Sequence, residues 1–531
     1  MQSVSAEWKD NHEQTILGES FVEVSLDITD PDVIADASSQ DNGASHFSDT
    51  AQVVSEVDRD ITPHATLEQN LWILNGSLKT LPSTDYGDCG FVGDVLCNES
   101  GTFSDKTPIV TINFSEVHLN PIPAITITWS KAYGEFAKNF IVTVYNGDTI
   151  VATQQVTSNK SVTSVVMMDI SNFDRITISV LRWCLPHRRA RIEEIFVGLR
   201  KVFNKSNMFN YSHTQTVDPI SSSLPKAEVV FSVDNTDNAY NPYNNEGLSK
   251  YLMERQEIRT RYGYKLGNNT EWIKGGNYYL SKWNAKQNGI SAEFTARDLL
   301  EFLYTDYSEN TDSLTIVILS GLAERILESA NLPLNKDGSK KWYIDGSIRA
   351  VSIIAPIPID TRANYLLMIA NATNCVLYTD RNGVLRLEPL EVAADPDYAI
   401  TQFNSYSKPE ITLSKSIKEI AVKVHKYSMG EDGIVDTTEE VIIPISASGE
   451  RMVIDNPLIT DSSRARSVGE WTANVLKNRA TLDVSWRPDV RLDALDTIKV
   501  TNSFNDNRVI MTDINYKFNG AFRATGKGRV I

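Results

Sequence analysis

Cysteine is scarce, with four in 531 residues. Cys89, Cys97, Cys184 and Cys375 show no C-x-x-C spacing and no paired-histidine motif accompanies them. That argues against a zinc site and for buried free thiols. So few cysteines fit assembly in a reducing cytoplasm. No apolar run approaches the roughly 18 residues that a membrane helix needs, so stable membrane insertion is not expected. The first residues, MQSVSAEWKDNHEQ, lack a basic stretch followed by an apolar core, so no signal peptide is expected. Positive charge is also short. Lysine and arginine total 51 against 68 aspartates and glutamates, a net charge of −17. A nucleic-acid-binding surface needs clustered Lys and Arg, and this balance argues against one.

Catalytic signatures are missing too. No G-x-S-x-G, H-E-x-x-H, G-x-x-x-x-G-K-[ST] or G-x-G-x-x-G occurs. The histidines at 12, 46, 64, 118, 187, 213 and 425 are scattered. Adjacent carboxylates such as Glu193 and Glu194 carry no weight in so acidic a chain. A glycosidase pair sits about 5–10 Å apart across a sugar cleft, a distance that residue order does not record. No catalytic, cofactor-binding or metal-ligating residue is expected, and no enzymatic activity.

The length suggests three or four domains, and 41% hydrophobic with 22% charged residues is ordinary for a globular protein. Strand signals dominate. Phe21–Ile28 alternates, and Ala51–Asp58 reads as a second strand after a polar loop. Seven short strands follow: Ile109–Phe114, Ala124–Trp129, Phe140–Tyr145, Thr149–Thr157, Ser164–Asp169, Arg175–Leu181 and Arg189–Val197. The Asn146-Gly147-Asp148 hairpin cue lies among them. So many short strands without a convincing helix predict a sandwich or jelly roll. Trp72, Trp129 and Trp183 read as its core. Arg188, Arg189 and Arg191 with Glu193 and Glu194 read as a solvated strand face. Two strands cannot hold a core alone, so residues 1–65 are expected to pair with a later part of the chain.

Helical spacing is clearest in three places. Asp312 or Ser313 is placed to cap a helix running to about Ala330, Asp360 to cap Thr361–Thr373, and the stripe Ala465, Val468, Thr472, Val475 and Leu476 marks a helix over 461–479. A short helix, Arg297–Tyr304, is expected after the strand ending at Ala296. The Asp380–Gly383 turn cues a hairpin.

The most telling stretch is Lys226–Asn245, KAEVVFSVDNTDNAYNPYNN. Ala227, Val229, Phe231 and Val233 share one face of a strand, which runs into an Asp/Asn-rich turn. A calcium loop is disfavoured, because Ala239 stands where the EF-hand pattern needs glycine.

This block resembles the "strand, D-N-x-D, x-x-Y/F-N-P" turn of bacteriophage tail hub and tail-tip proteins. Asn456–Arg529 is similar to the C-terminal part of the same hubs. It has an N-P-L-I-T entry, a helix, a W-R-x-D-x-R-L-x-A-L-D strand pair and a closing N-G-x-F-x-x-x-G-x-G-R. Leu67–Leu78, Gly101–Glu116 and Arg188–Gly198 resemble the galactose-binding-like (discoidin-type) jelly roll. The resemblance implies a mainly β fold with α+β parts: two hub-type β-barrels, a jelly-roll sandwich and a small helical/hairpin domain. The expected units are 1–65 (N-terminal strands joining the hub), 66–203 (jelly roll), 204–310 (first barrel), 311–395 (α+β) and 396–531 (second barrel with helix 461–479).

It further implies a structural virion protein of a tail tip or baseplate, assembled in the host bacterial cytoplasm. The expected partners are other copies of the chain, most simply in a homotrimer, with tail-tube, tape-measure and tail-fibre or tip proteins. DNA would pass through the ring without specific binding. A contact between jelly roll and host cell-wall carbohydrate stays open. Asp234–Asp237 and Asp489–Asp496 are the candidate acidic segments for a channel wall. The alternative is a carbohydrate-active enzyme with a β-sandwich binding module.

Overall fold

The structure, a computed structural model, describes all residues except 15–16, 55–60, 72–74, 81–86, 287–288, 310, 312, 336–338, 432 and 502–505. Trp72, Asp312 and the second half of the Ala51–Asp58 stretch therefore lie outside the described residues. The fold is mainly β.

Alternating apolar residues build one sheet of 13 strands that gathers both ends of the chain. Its path begins at Leu199–Phe203 and passes through Ser20–Ile28, Glu257–Leu266, Asn269–Ala285, Ser291–Arg297, Lys226–Asp234 and Met208–Thr216. It continues through Asp506–Phe518, Phe522–Val530 and Ala480–Trp486 to the edge strand Glu410–Leu413. Thr497–Thr501 pairs with the other end of Asp506–Phe518 and carries Ala399–Ile400. The two halves meet where Met208–Thr216 pairs with Asp506–Phe518, from Tyr211↔Phe518 to Thr216↔Asp513. Val22, Val24 and Leu26 from the first half share one core with Trp486, Val500 and Tyr516 from the second. The pleat makes this possible, since period two sends every second side chain inward. Phe231 and Phe294 stack in it with centroids 5.2 Å apart.

Ser20–Ile28 pairs antiparallel with Leu199–Phe203, from Val24↔Phe203 to Ile28↔Leu199. The chain thus leaves the large sheet and re-enters it on neighbouring strands. Between them lies a β-sandwich. A five-stranded sheet (Ser38–Asp41, Ile109–His118, Phe173–Trp183, Ala137–Asn146, Thr149–Val156) and a three-stranded sheet (Thr163–Ile170, Ile122–Thr128, Glu194–Phe196) contribute to a second core. Trp129 and Trp183 are buried there. The sandwich reaches further back than residue 66. Ser38–Asp41 pairs with Ile109–His118, and Val33 and Val53 join its core. Thr50–Val53 is a 3-10 helix instead of the start of a strand, with Asp49 accepting from the Ala51 amide.

A third core joins the helices Leu319–Glu328, Arg362–Ala372 and Ser462–Leu476 with small sheets. Here the structure departs from the expected 396–531 unit. Ile417–Gly430, Gly433–Pro444 and Glu450–Ile454 form their own three-stranded sheet. The helix Ser462–Leu476 packs on that sheet, with Val468 beside Val422 and Ile443 in the third core. Its stripe was legible; the surface it covers was not. Asp461 caps it by accepting from the Arg464 amide. The helix expected from 312 begins only at Leu319, because Thr315–Ile318 pairs with Ser352–Ala355. Four consecutive β-branched residues, Thr315, Ile316, Val317 and Ile318, favour the strand. Thr361, not Asp360, caps the next helix, accepting from the Asn364 amide. The expected helix 297–304 is one 3-10 turn, Leu299–Phe302, capped by Asp298.

Candidate functional site

Where the two halves of the sheet meet, the core turns polar. His213 is fully buried. Its Nδ1 lies 2.8 Å from the Tyr262 hydroxyl and its Nε2 2.7 Å from that of Tyr278. Tyr262 is bonded in turn to Tyr211 at 2.7 Å. The Tyr516 hydroxyl donates to the Leu492 carbonyl at 2.9 Å and that of Tyr264 to the Pro488 carbonyl at 2.6 Å. Burial, helped by the Arg381 charge, lowers the His213 pKa to about 3, so the ring is neutral and holds one proton. Burial pushes the Tyr262 phenol up to about 12.

One side chain enters this core from the third unit. Arg381, at the tip of the hairpin between Cys375–Thr379 and Leu385–Pro389, is 2% exposed. It donates to Asp493 Oδ1 at 2.5 Å and to the carbonyls of Lys274 at 3.0 Å and Leu492 at 2.8 Å. Three segments far apart in sequence are fixed by one guanidinium. Burial works against its charge, but Asp493, Tyr516 and Tyr262 outweigh it and raise its pKa. The turn that presents it is held by Asp380, whose Oδ1 accepts from the Asn382 and Val384 amides at 2.9 and 3.1 Å. Gly383 sits at φ +75°, where a side chain would be strained.

The two acidic segments have different fates. Asp234 and Asp237 are exposed, and each accepts a nearby amide, that of Thr236 or Ala239, at 3.0 Å. They are turn-formers, as the Asp/Asn chemistry predicts. Asp489 is fully buried and clamped by Arg491 at 2.8 and 2.9 Å, with the Trp8 indole donating at 3.3 Å. Asp493 holds Arg381, and burial followed by the Asp493 charge pushes the Asp496 pKa up. Asp489 to Asp496 is therefore part of the junction and not a free acidic wall. The signal was in W-R-x-D-x-R-L itself, since an aspartate two residues from an arginine amid apolar neighbours reads as a buried pair.

The sandwich holds a second set of charges. Arg188 and Arg191 are each 6% exposed, so they do not form a solvated face. Arg188 Nε donates to Glu135 at 2.8 Å, Arg191 Nη1 donates to Glu68 at 2.9 Å, and the Trp183 indole donates to Glu135 at 2.8 Å. Burial raises the Glu68 pKa, but Arg191, Thr66 and the Arg189 amide outweigh it and hold the carboxyl below its usual range. Buried charges persist only when paired in this way. Among the described residues no group of three or more His, Cys, Asp or Glu could hold a metal ion. All four cysteines are free thiols.

A cleft of about 960 Å³ opens beside the Arg381 hairpin. Its wall combines Gln215 and Lys226 of the first half, Val376 to Ala393 of the hairpin unit and Asp493 to Thr497 of the second half.

No protein-family model matches this chain, and no curated protein matches it in sequence. Among solved structures it is similar to the 43 kDa tail protein of prophage MuSo2 from Shewanella oneidensis, at 11% identity and a TM-score of 0.39, covering 62% of this chain and 94% of that one. A tail protein from Neisseria meningitidis MC58 gives 10% identity and a TM-score of 0.41, covering 62% and 93%. Prophage tail protein gp18 from Listeria monocytogenes EGD-e gives 10% identity and a TM-score of 0.37, covering 62% and 91%. All three are described as tail proteins.

Proposed function

We propose that this chain is a structural protein of a phage tail tip or baseplate. Several copies, most simply three, close a ring at the end of the tail tube, surround the DNA exit channel and dock the neighbouring tail proteins. The observation that carries this reading is the meeting of the two hub-like sequence blocks. The strand opening the first, Lys226–Asp234, and the strands closing the second lie in one sheet, with Met208–Thr216 between them. A ring also gives the edge strand Glu410–Leu413 a partner. All four of its residues are exposed, Ile411 by 52% and Leu413 by 65%, and Phe403 and Tyr406 stand exposed just before it. An apolar edge with unpaired amides invites another strand.

The net charge of −17 suits a channel that DNA crosses without binding, because carboxylates repel phosphate over a Debye length, about 8 Å. Asp234 and Asp237 remain candidates for that wall. The sandwich would sit outward as a separate unit, and contact with cell-wall carbohydrate is proposed for its loops. Trp129 and Trp183 are buried and take no part in it. Native mass spectrometry of the purified chain tests the ring. A trimer or another closed oligomer is expected, and a monomer at every concentration and in the particle would sink it. Antibody labelling of virions should decorate the tail tip, and label confined to the head would reject the assignment.

A further inference from the structure

The third unit carries an apolar surface that the fold itself leaves uncovered. Thr315–Ile318 and Ser352–Ala355 form a two-stranded ribbon, with Ile316 opposite Ile354 and Ile318 opposite Ser352. Period two turns Val317 and Ile353 inward, where both are buried. It turns Ile316, Ile318 and Ile354 outward, at 75%, 51% and 51% exposure. Ile359, in the strand Ile357–Thr361 that follows, is 70% exposed. Neither strand of the ribbon has a further strand beside it among the described residues. Single apolar residues on a surface need no explanation, but a set gathered on one face marks a contact.

Charge separates this ribbon from the other exposed apolar strand, Glu410–Leu413. Beside Ile359, Asp306 and Asp360 have no ion pair among the described residues, and they lie on the facing strands Asp306–Glu309 and Ile357–Thr361. The neighbouring arginines are engaged, Arg325 with Glu309 and Arg362 with the Thr305 hydroxyl and the Asp306 carbonyl. Arg349, before Ser352, is exposed and offsets part of this negative charge. Around Glu410–Leu413 the sign is reversed. Lys408, Lys477 and Arg479 are exposed and have no ion pair among the described residues. Arg479 is held beside the strand by donating to the Ser414 carbonyl at 2.8 Å. Glu410 is the opposing charge on the strand itself.

We propose that these two surfaces meet between copies of the chain: the basic-rimmed edge strand of one copy packs on the isoleucine ribbon of the next. The inference rests on the ring reading above and names the surface which that reading leaves open. A second copy is the occupant because the two surfaces offer apolar faces with rims of opposite charge. They lie on different parts of the fold, one at the end of the large sheet and one on the third unit. The contact is therefore head-to-tail, and each copy keeps one surface free for the next. Two edge strands meeting about a twofold axis fit less well, since Lys408, Lys477 and Arg479 would face the same three bases.

Native mass spectrometry of two double variants of the full chain tests this. Ile316→Lys with Ile354→Lys should lose the oligomer as completely as Ile411→Lys with Leu413→Lys, with the melting temperature of the monomer unchanged in both. Mixing the two variants should give a complex of two chains and no larger one, because one edge and one ribbon remain intact between them. Lys408→Glu with Lys477→Glu, added to the ribbon variant, should weaken that complex about tenfold. An oligomer that survives Ile316→Lys with Ile354→Lys would overturn this contact and leave the ring standing. A mixture that stays monomeric, or a complex indifferent to the charge reversal, would overturn it too. An open filament of the parent chain, lost in both variants, would support the contact and reject the ring. A parent chain that is monomeric at every concentration and in the particle would overturn both.

Discussion

The sandwich and the sheet junction solve the same packing problem with different chemistry. The sandwich core is apolar, with Ile112, Ile127, Val142, Ile176 and Ile178 contributed by facing strands. Its buried charges are paired, Arg188 with Glu135 and Arg191 with Glu68. The junction puts His213, five tyrosines, Arg381 and Asp493 at its centre. Apolar contact is non-directional, so it holds strands together without dictating which segment must lie where. Hydrogen bonds are directional and costly to leave unmade. A junction built on them admits few arrangements of its three segments.

The contrast can be broken at Arg381 first. Arg381→Ala leaves the half-buried Asp493 without its guanidinium and takes one donor each from the Lys274 and Leu492 carbonyls. It should cost about 3–5 kcal/mol, and the denaturation profile should split into two transitions with the sandwich melting last. A single unshifted transition would show that the junction does not depend on this side chain. Next comes Ile178→Ala in the sandwich, expected to cost about 2–4 kcal/mol through cavity formation. It should lower the sandwich transition alone. A matching fall in both transitions would mean that the units are one cooperative block.

The third test separates two buried groups of the junction side, Asp298 and His213, by pH. Asp298 is raised from 3.8 to about 7 in the folded state, so between those values folding binds a proton. Its stabilising contribution is complete below about pH 4 and is lost as pH rises to about 7. His213 is lowered from 6.5 to about 3, so its contribution is lost as pH falls below 6.5. The two slopes oppose each other over the shared window. Asp298→Asn should unmask the histidine. The variant should lose about 2 kcal/mol relative to the parent between about pH 6.5 and 5, measured by urea titration at each pH. Parallel pH profiles for parent and variant would refute the burial assigned to these groups.

The smallest effect on folding belongs to the edge. Ile411→Lys with Leu413→Lys should change monomer stability by less than about 0.5 kcal/mol, since both side chains are exposed. The same pair should abolish the proposed closed oligomer in native mass spectrometry. A stable oligomer that keeps its mass would place the interface elsewhere.

Local pattern carried much of the fold. Lys226–Asp234, six of the seven sandwich strands and the stripe of Ser462–Leu476 were legible because strand and helix periods are written within ten or fifteen residues. The seventh, Arg189–Val197, is broken at Glu193 into Arg189–Ile192, paired with Phe91–Leu96, and Glu194–Phe196, paired with Ile122–Thr128. The helix Ala6–Glu13 was not. It has only Trp8 and Asn11 buried, too little for a periodic signal. Thr315–Ile318 misled for the opposite reason, as a run of apolar residues ahead of a true helix reads as its first turn. Arg188 and Arg191 read as surface because charge near charge usually is. Their carboxylate partners, Glu135 and Glu68, lie some fifty to a hundred and twenty residues earlier.

The order of residues determined the elements, their inward faces, the turn chemistry of Asp234 to Asn241 and the excess of negative charge. Those properties depend on neighbours along the chain, where sterics and short hydrogen bonds decide. Tertiary structure alone decided three further things. It sent the helix Ser462–Leu476 to the third core, brought Arg381 to Asp493 across more than a hundred residues, and buried the Asp298 carboxyl at the wall of a cleft. Burial and charge pairing are set by what lies across space, and a buried charge takes whichever partner the fold delivers.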